Sequence, residues 1–587
     1  MLTEQTFIAG KDAALETTIE RFQQQLQNIG FNIEQASWLN PVPNVWSVHI
    51  HDRDCPQCFT NGKGTTKKAA LASALGEFLE RLSCNYFFAD FYLGEQIANS
   101  EFVHYPNERW FELTDNQQLP AGLLDQRLLD FYQAEQPLQA NALIDLQSDN
   151  FERGICALPF VRQADQQKVY IPMNIIGNLY VSNGMSAGNS RDEARVQALS
   201  EILERYVKNR VLIDAISLPE IPAAVLARYP LVVEAMQAIE AQGFPLYAFD
   251  ASLGGEFPVI SVVLFNPSNG TCFASFGAHP DFSVALERTV TELLQGRSLK
   301  QLDVFLPPTF DNDQVADYTN LETHFTDSSG LVSWDLFSQQ ADYEFVDWSF
   351  KGSSTVEEFA NLLAIVQQQG TDAYIADYQH LGIDACRIIV PGLSEIYEVE
   401  DLELANNNMG QDLRELVLNL ADSDWQEEEY LELIDALTEE GFDDFMPIAE
   451  LIGVVPTAGS VLAGLRIGEL KAMLALAGGD FAAAMEWTEW TLAFNSSVFS
   501  AERQNYYRCL HAFLSFELDG TEREFADYLP AFNRMYGAAV VQQVQQVVNG
   551  ELRFAGLETV DNNLTQLPAH QRLLEAYQKL QRAKRSA

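Results

Sequence analysis

Three segments of this 587-residue chain repeat one spacing: an alanine, a glutamate seven residues on, and a leucine two residues further. They are Ala70/Glu77/Leu79, Ala194/Glu201/Leu203 and Ala285/Glu292/Leu294. The first two also share a glycine thirteen residues before the glutamate, Gly64 and Gly188, and the continuation Glu-x-x-Glu-Arg. Such self-similarity points to one site assembled from repeated helices. Any single amphipathic helix with Glu and Arg on its wet face is a common object, so the recurrence carries the inference.

At about 100° per residue, each segment sorts into two helical faces. In the first, Leu71, Leu75, Phe78 and Leu82 form an apolar stripe opposite Ser73, Glu77, Glu80 and Arg81. In the second, Leu199, Ile202, Leu203 and Tyr206 oppose Glu193, Gln197, Glu201 and Glu204. In the third, Leu286, Val290 and Leu293 oppose Arg288 and Glu292. Clustered carboxylates repel unless a cation neutralises them. Mg²⁺ takes hard oxygen ligands and is commonly shared between a few carboxylates and phosphate. Arg81, Arg205 and Arg288 then complement phosphate charge or orient the carboxylates.

The loops before the first two helices, Asn61 to Lys68 and Ser182 to Ser190, bring small residues to a helix N-terminus, where free backbone amides favour phosphate. Neither follows the Walker A pattern, so a phosphate-loop NTPase is not expected.

The surroundings of these motifs read as α/β or α+β. Residues 1–60 contain a helical stretch over Thr18 to Ile29 and strand-like alternation over Val45 to Ile50. β-branched runs such as Val169-Tyr-Ile-Pro, Pro258-Val-Ile-Ser-Val-Val-Leu and Arg387-Ile-Ile-Val alternate with amphipathic helices up to about residue 404. From 405 to 587 the pattern becomes helical. Leu465 to Ala477 and Phe481 to Trp490, separated by Gly478-Gly479-Asp480, look like a tetratricopeptide-type pair. The expectation is an N-terminal α/β segment over 1–60 packed on a domain of 61–404, followed by an all-α domain of 405–587. The acidic stretch Asp422 to Glu440 reads as a solvated helix face.

Charge narrows the partners. With 36 basic and 83 acidic side chains, the formal net charge of −47 repels nucleic acid and anionic membranes. A bound nucleotide therefore needs local cations. No signal-peptide pattern opens the chain and no run reaches about 18 apolar residues, so the expected location is the cytoplasm, without a membrane span. Seven cysteines over this length suit a reducing compartment.

These residues resemble the signature motifs of the YcaO family. Ser73-x3-Glu77-x2-Glu80-Arg81 is similar to the first motif, Ser186-x6-Glu193-x3-Gln197-x3-Glu201-x2-Glu204-Arg205 to the second, and Arg288-x3-Glu292 to the third. The likeness runs in order over more than two hundred residues. It implies a YcaO-type ATP-binding domain using ATP and Mg²⁺ to activate a backbone amide of a peptide. It implies Glu77, Glu80, Glu201, Glu204 and Glu292 as magnesium ligands, and Lys11, Ser73, Asn189, Glu193, Arg205 and Arg288 as nucleotide contacts. Glu77, Glu201 and Arg205 are the residues on which catalysis would rest. By the same resemblance the protein serves as an accessory to a RimO-like methylthiotransferase, in β-methylthiolation of an aspartate in a small-subunit ribosomal protein. The chain ends in an expected helix, Arg572 to Lys584, where azoline-forming members often carry a proline-rich tail, and this argues against peptide cyclodehydration. Homodimerisation through the helical domain is a further expectation.

His49, His51, Cys55 and Cys58 supply enough ligands for zinc, but their compact spacing and the strand-like context favour packing roles. No three-cysteine cluster of a radical enzyme is present in the sequence, which suits an accessory role. The rival reading is a scaffold that binds ATP without using it and recruits partners through its helices.

Overall fold

In the computed structural model each of the three repeated segments is a strand, paired antiparallel with another, that runs into a helix; the pairing strand is the preceding one in the first and third segments and comes from much later in the chain in the second. The structure describes residues 5–113, 118–145, 151–302, 304–399, 410–495, 498–561 and 563–585. The first unit comprises α1 (Leu15–Ile29), β1 (Ile33–Val42), β2 (Val45–Asp52), β3 (Phe59–Gly64) and α2 (Lys67–Ser83). α1 starts three residues before the expected Thr18 and stops at Gly30. There φ is 98° and the amide turns back to the carbonyls of Leu26 and Gln27 at 3.1 and 3.0 Å. β1 was not expected, because its side chains are mostly half-exposed and its apolar alternation is broken by Asn40-Pro41. β1, β2 and β3 form one antiparallel sheet, and β3 crosses position 60, so the N-terminal segment is continuous with the unit that carries the first motif.

The second unit contributes β4 (Arg109–Phe111), β5 (Ile155–Arg162), β6 (Lys168–Pro172), β7 (Met185–Gly188) and α3 (Arg191–Ile213). The third contributes β8 (Leu246–Asp250), β9 (Val259–Asn266), β10 (Thr271–Ala278) and α4 (Phe282–Glu292), with the sheet order β10-β9-β8. Finally α5 (Thr355–Gln368) leads into β11 (Tyr374–Tyr378) and β12 (Asp384–Ile389). These strands return to complete the sheet β4-β5-β11-β12-β7, with β6 beside β5.

The units close into a ring. α2 packs on its own β3 and on β7 of the second unit; α3 packs on β7 and on β10; α4 packs on β10 and reaches back to β3. Apolar stripes drive this docking: Leu75, Phe78 and Leu82 of α2, Leu199, Ile202 and Leu203 of α3, and Leu286 and Val290 of α4 are buried. The opposite faces of the three helices turn toward one another.

From residue 410 onward the described residues are helical apart from an isolated bridge between Pro447 and Arg466. The expected boundary at 404 to 405 lies outside the described residues. The helices Ile467–Ala477 and Phe481–Phe494 pack as a pair across Gly478-Gly479-Asp480, and Asp480 caps the second by accepting from the Ala483 amide at 3.0 Å. The acidic stretch holds the helix Glu427–Glu439, which buries Tyr430, Leu433 and Leu437 and exposes its glutamates.

The terminal helix, Pro568–Arg585, is longer than the expected Arg572 to Lys584 and leaves the helical region to join the first core. Leu573, Ala576, Tyr577 and Leu580 pack in one cluster with Phe78, Leu79 and Leu82 of α2. Tyr577 donates to the Val103 carbonyl at 2.8 Å. The Lys584 ammonium is buried, donating to the His104 carbonyl at 2.9 Å and to Asn85, with the Tyr105 ring 3.8 Å below it.

Candidate functional site

Each of the three helices begins where a strand ends, and small residues let the two approach. Thr66 caps α2 by accepting from the Ala69 amide at 3.1 Å, and Ser190 caps α3 by accepting from Glu193 at 3.1 Å. A Cβ on Gly64 would lie 2.8 Å from the Ala70 nitrogen, and one on Gly188 would lie 2.9 Å from the Ala194 nitrogen. The two glycines of the sequence repeat thus occupy the same place in their units. In the third unit Gly277 plays this part, with a Cβ there 2.3 Å from Thr289 Oγ1.

The faces turned inward line one cavity of about 400 Å³. Lys11, Ser73, Glu77, Glu80, Asn189, Glu193, Glu201, Glu204, Arg205, Arg288 and Glu292 all border it, so every site residue named from the sequence is brought to a single place. Arg81 and Gln197 border it as well.

Cations organise the carboxylates. Arg81 lies 3.2 Å from Glu77 and 3.7 Å from Glu80, and Arg205 lies 3.1 Å from Glu201. Each arginine also covers an aromatic ring, Tyr86 at 4.4 Å and Phe325 at 4.6 Å, which fixes the guanidinium plane. Glu204 accepts the Ala278 amide at 3.0 Å. Burial raises the Glu77 carboxyl, against the lowering effect of Arg81, and lifts Glu80 well above the usual carboxylate range, with Glu201 and Glu77 adding repulsion. Both groups are costly to ionise where they stand, a cost that a divalent cation offsets.

A second cluster gathers at the other end. Buried Glu193 accepts from the Asp12 amide at 2.8 Å and from Asn189 at 3.2 Å, and Lys11 lies 3.4 Å away. Thr18 of α1 donates to Asn189 at 3.0 Å. Arg288 donates to Gln197.

Lys63 and His279 are among the residues of this cavity that the sequence does not single out. Lys63, on β3, reaches the third unit and pairs with Glu292; burial, helped by the Arg288 charge, lowers its ammonium to about 8. His279, after β10, is lowered to about 3 by burial and by Arg288, so its ring is neutral. Its Nδ1 accepts from the Asp281 amide at 3.0 Å, which leaves the proton on Nε2. Gly10, at φ 74°, passes so close that a Cβ would lie 2.6 Å from that nitrogen. Neither residue sits on a repeated helix, so the period that exposes the glutamates is silent about them.

The donors fit magnesium with nucleotide. All five glutamates offer hard oxygens to one cavity, yet among the described residues no three carboxylate, imidazole or thiol groups converge into a closed metal cage. Mg²⁺ typically draws only one or two ligands from carboxylates and the rest from phosphate and water. Lys11, Lys63, Arg81, Arg205 and Arg288 give this acidic chain a cationic border at the cavity.

His49 and His51 lie on β2, and His49 Nδ1 is 2.9 Å from Asn61. Cys55 and Cys58 are buried in the turn between β2 and β3 with their sulfurs 3.9 Å apart, and all seven cysteines are buried free thiols. Among the described residues no helix is long and apolar enough to cross a membrane.

The sequence matches known proteins over nearly its whole length. The family model described as YcaO cyclodehydratase, ATP- and Mg²⁺-binding, matches residues 61–394, and the one described as YcaO cyclodehydratase C-terminal domain matches residues 410–586. The chain is 67% identical over 580 residues to the ribosomal protein S12 methylthiotransferase accessory factor YcaO of Escherichia coli (strain K12), covering 99% of each. It is 59% identical over 585 residues to an uncharacterized protein of Haemophilus influenzae, covering 100% of this chain and 99% of that one. Among solved structures, YcaO from Methanopyrus kandleri bound with AMPPCP and Mg²⁺ is 18% identical, with a TM-score of 0.43, covering 67% of this chain and 95% of the other. The cofactors are accordingly ATP and Mg²⁺, and the chain belongs to the YcaO family.

Proposed function

We propose that this protein uses Mg-ATP to activate a backbone amide of a polypeptide, as an accessory factor in β-methylthiolation of an aspartate in a small-subunit ribosomal protein. Its partners in this reading are a RimO-like methylthiotransferase and that ribosomal protein. The gathering of three separate sequence motifs around one cavity carries the enzymatic half of the proposal. The name of the Escherichia coli relative, an accessory factor of a ribosomal-protein methylthiotransferase, carries the physiological half.

Bound Mg-ATP would supply an electrophilic γ-phosphoryl group that passes to the amide oxygen with ADP as leaving group, so that a nucleophile displaces that oxygen from carbon as phosphate. The chain's own residues hold and orient. Glu77, Glu80, Glu201, Glu204 and Glu292 are the carboxylates from which bound magnesium would draw its protein ligands, on helices whose positions are set by the ring of units. Ser73, Asn189, Glu193 and Lys11 border the nucleotide, and Arg205 and Arg288 stabilise negative charge on the transferring group. Glu77, Glu201 and Arg205 are the residues most directly tied to turnover. Positioning and charge neutralisation account for the rate effect, without a protein nucleophile.

The same proposal sets an ATP-binding part over 61–404, into whose first sheet the segment 1–60 is built, apart from a helical part over 405–587, reads the latter as tetratricopeptide-like and homodimerising, and puts the protein in the cytoplasm. The word accessory in the relative's name favours a second reading, an ATP-binding scaffold whose helices recruit partners.

The test is Mg²⁺-dependent ATP turnover by wild type, Glu77→Ala and Glu201→Ala. Both variants are expected to lose turnover and weaken Mg-ATP binding while keeping their circular dichroism. Unchanged nucleotide binding in both overturns the site. Tight binding by wild type without turnover favours the scaffold.

A further inference from the structure

A second cavity, of about 590 Å³, adjoins the carboxylate-lined one. Its size falls among the roughly 300–1,000 Å³ of ligand pockets. Phe131, Tyr318, Phe325 and Tyr397 give it aromatic walls. Arg205 borders both cavities. On one side its guanidinium meets Glu201 at 3.1 Å, and on the other it covers Phe325 at 4.6 Å, so one side chain forms the partition.

The polar groups of this cavity are graded in depth. Arg205 is half-buried and Lys208 is buried, its ammonium donating to the His324 carbonyl at 2.7 Å. Glu395 accepts from Tyr180 at 2.9 Å and from the Gly392 amide at 3.0 Å, which leaves lone pairs for a further donor. Glu135 and Glu398 are exposed. The interior thus sets Arg205 and Lys208 beside the Glu395 carboxylate among aromatic walls, and the exposed rim is acidic.

Amide activation needs a second reactant beside the nucleotide, held in register with the phosphoryl group. Of the residues assigned above to metal and nucleotide, only Arg205 touches this second cavity. We propose that it seats the polypeptide substrate, an extended segment with basic residues at its ends. The glutamates of the rim attract the basic ends, the aromatic walls cover the backbone, and Arg205 donates to a carbonyl oxygen of the segment. This rests on the amide-activation reading and adds to it the seat and charge pattern of the substrate.

The test uses the full-length protein, with purified ribosomal protein S12 as probe. Two variants separate charge from space: the double reversal Glu135→Lys/Glu398→Lys at the exposed rim, and Asn209→Trp, which fills the cavity. Binding followed by fluorescence anisotropy is expected to weaken about tenfold in each at low ionic strength, with Mg-ATP affinity unchanged. Equal affinity of wild type and both variants overturns the proposal, as does a wild type that does not bind the ribosomal protein. A wild type that fails to bind Mg-ATP, but binds the ribosomal protein in a way the variants weaken, removes the amide-activation reading and leaves the docking site standing.

Discussion

The backbone amide of Ala278, at the end of β10, donates to the carboxylate of Glu204 on α3 at 3.0 Å. The third unit thereby holds a carboxylate supplied by the second. Glutamine at 204 keeps an acceptor for that amide but removes the charge. Glu204→Gln is expected to retain the thermal midpoint and raise the Mg²⁺ concentration needed for ATP binding. Glu204→Ala is expected to do both harms, with a stability loss of about 1–3 kcal/mol from the abandoned amide. Calorimetric titration with Mg-ATP and thermal melts separate the two.

The paired glycines predict a matched pair of defects. Gly64→Ala and Gly188→Ala each push a methyl group to within 3 Å of a helix nitrogen in the first turns of α2 and α3. Each is expected to cost about 1–3 kcal/mol, with nucleotide binding weakened because the helix carrying the glutamates must shift. Gly177→Ala is the control for an open position, since nothing lies within 4 Å of its Cβ and its φ is not left-handed.

Glu395 gives stability a pH dependence. Burial raises its carboxyl from 4.5 to about 7, with Tyr180 and the Gly392 amide pulling the other way. The folded state therefore holds this proton more tightly than the unfolded chain. The contribution is fully present below pH 4.5 and is lost as pH rises to about 7. Against wild type, Glu395→Gln is expected to gain stability on the alkaline side of that window. Melting curves from pH 5 to pH 8 measure the difference.

Removing the terminal helix tests its role in the first core. A chain ending at residue 567 loses Leu573, Tyr577 and Leu580, each worth about 1.5–3 kcal/mol of burial. The sum is comparable with the ~5–15 kcal/mol margin of an ordinary domain. The truncated protein is expected to unfold or aggregate, including the ATP-binding region. A soluble, ATP-binding fragment of 1–567 would show that the helix is dispensable. Lys584→Met, which empties the pocket between Asn85 and Tyr105 of its donor, is expected to lower the midpoint more gently.

Periodicity made the glutamates legible in the sequence. Glu77, Glu80, Glu201 and Glu204 recur at fixed steps on helices, so their common face could be computed from the angle per residue. Lys63 and His279 belong to a strand end and a loop, where position in sequence says little about which distant helix is met. β1 was hidden because a sheet edge with half-exposed side chains lacks the alternation by which strands are recognised. The terminal helix was recognisable as a helix from its own pattern. Its destination was not, because the partners of Tyr577 and Lys584 lie more than four hundred residues earlier in the chain.

The circular leaning of α2 on β7, α3 on β10 and α4 on β3 resembles a masonry arch, in which each stone is held by its neighbours. Such a structure has no independent part. Loosening any one unit slackens the other two, so the five glutamates assemble or disperse together. Damage anywhere along the ring is then felt in the cavity as a simultaneous displacement of carboxylates on all three helices.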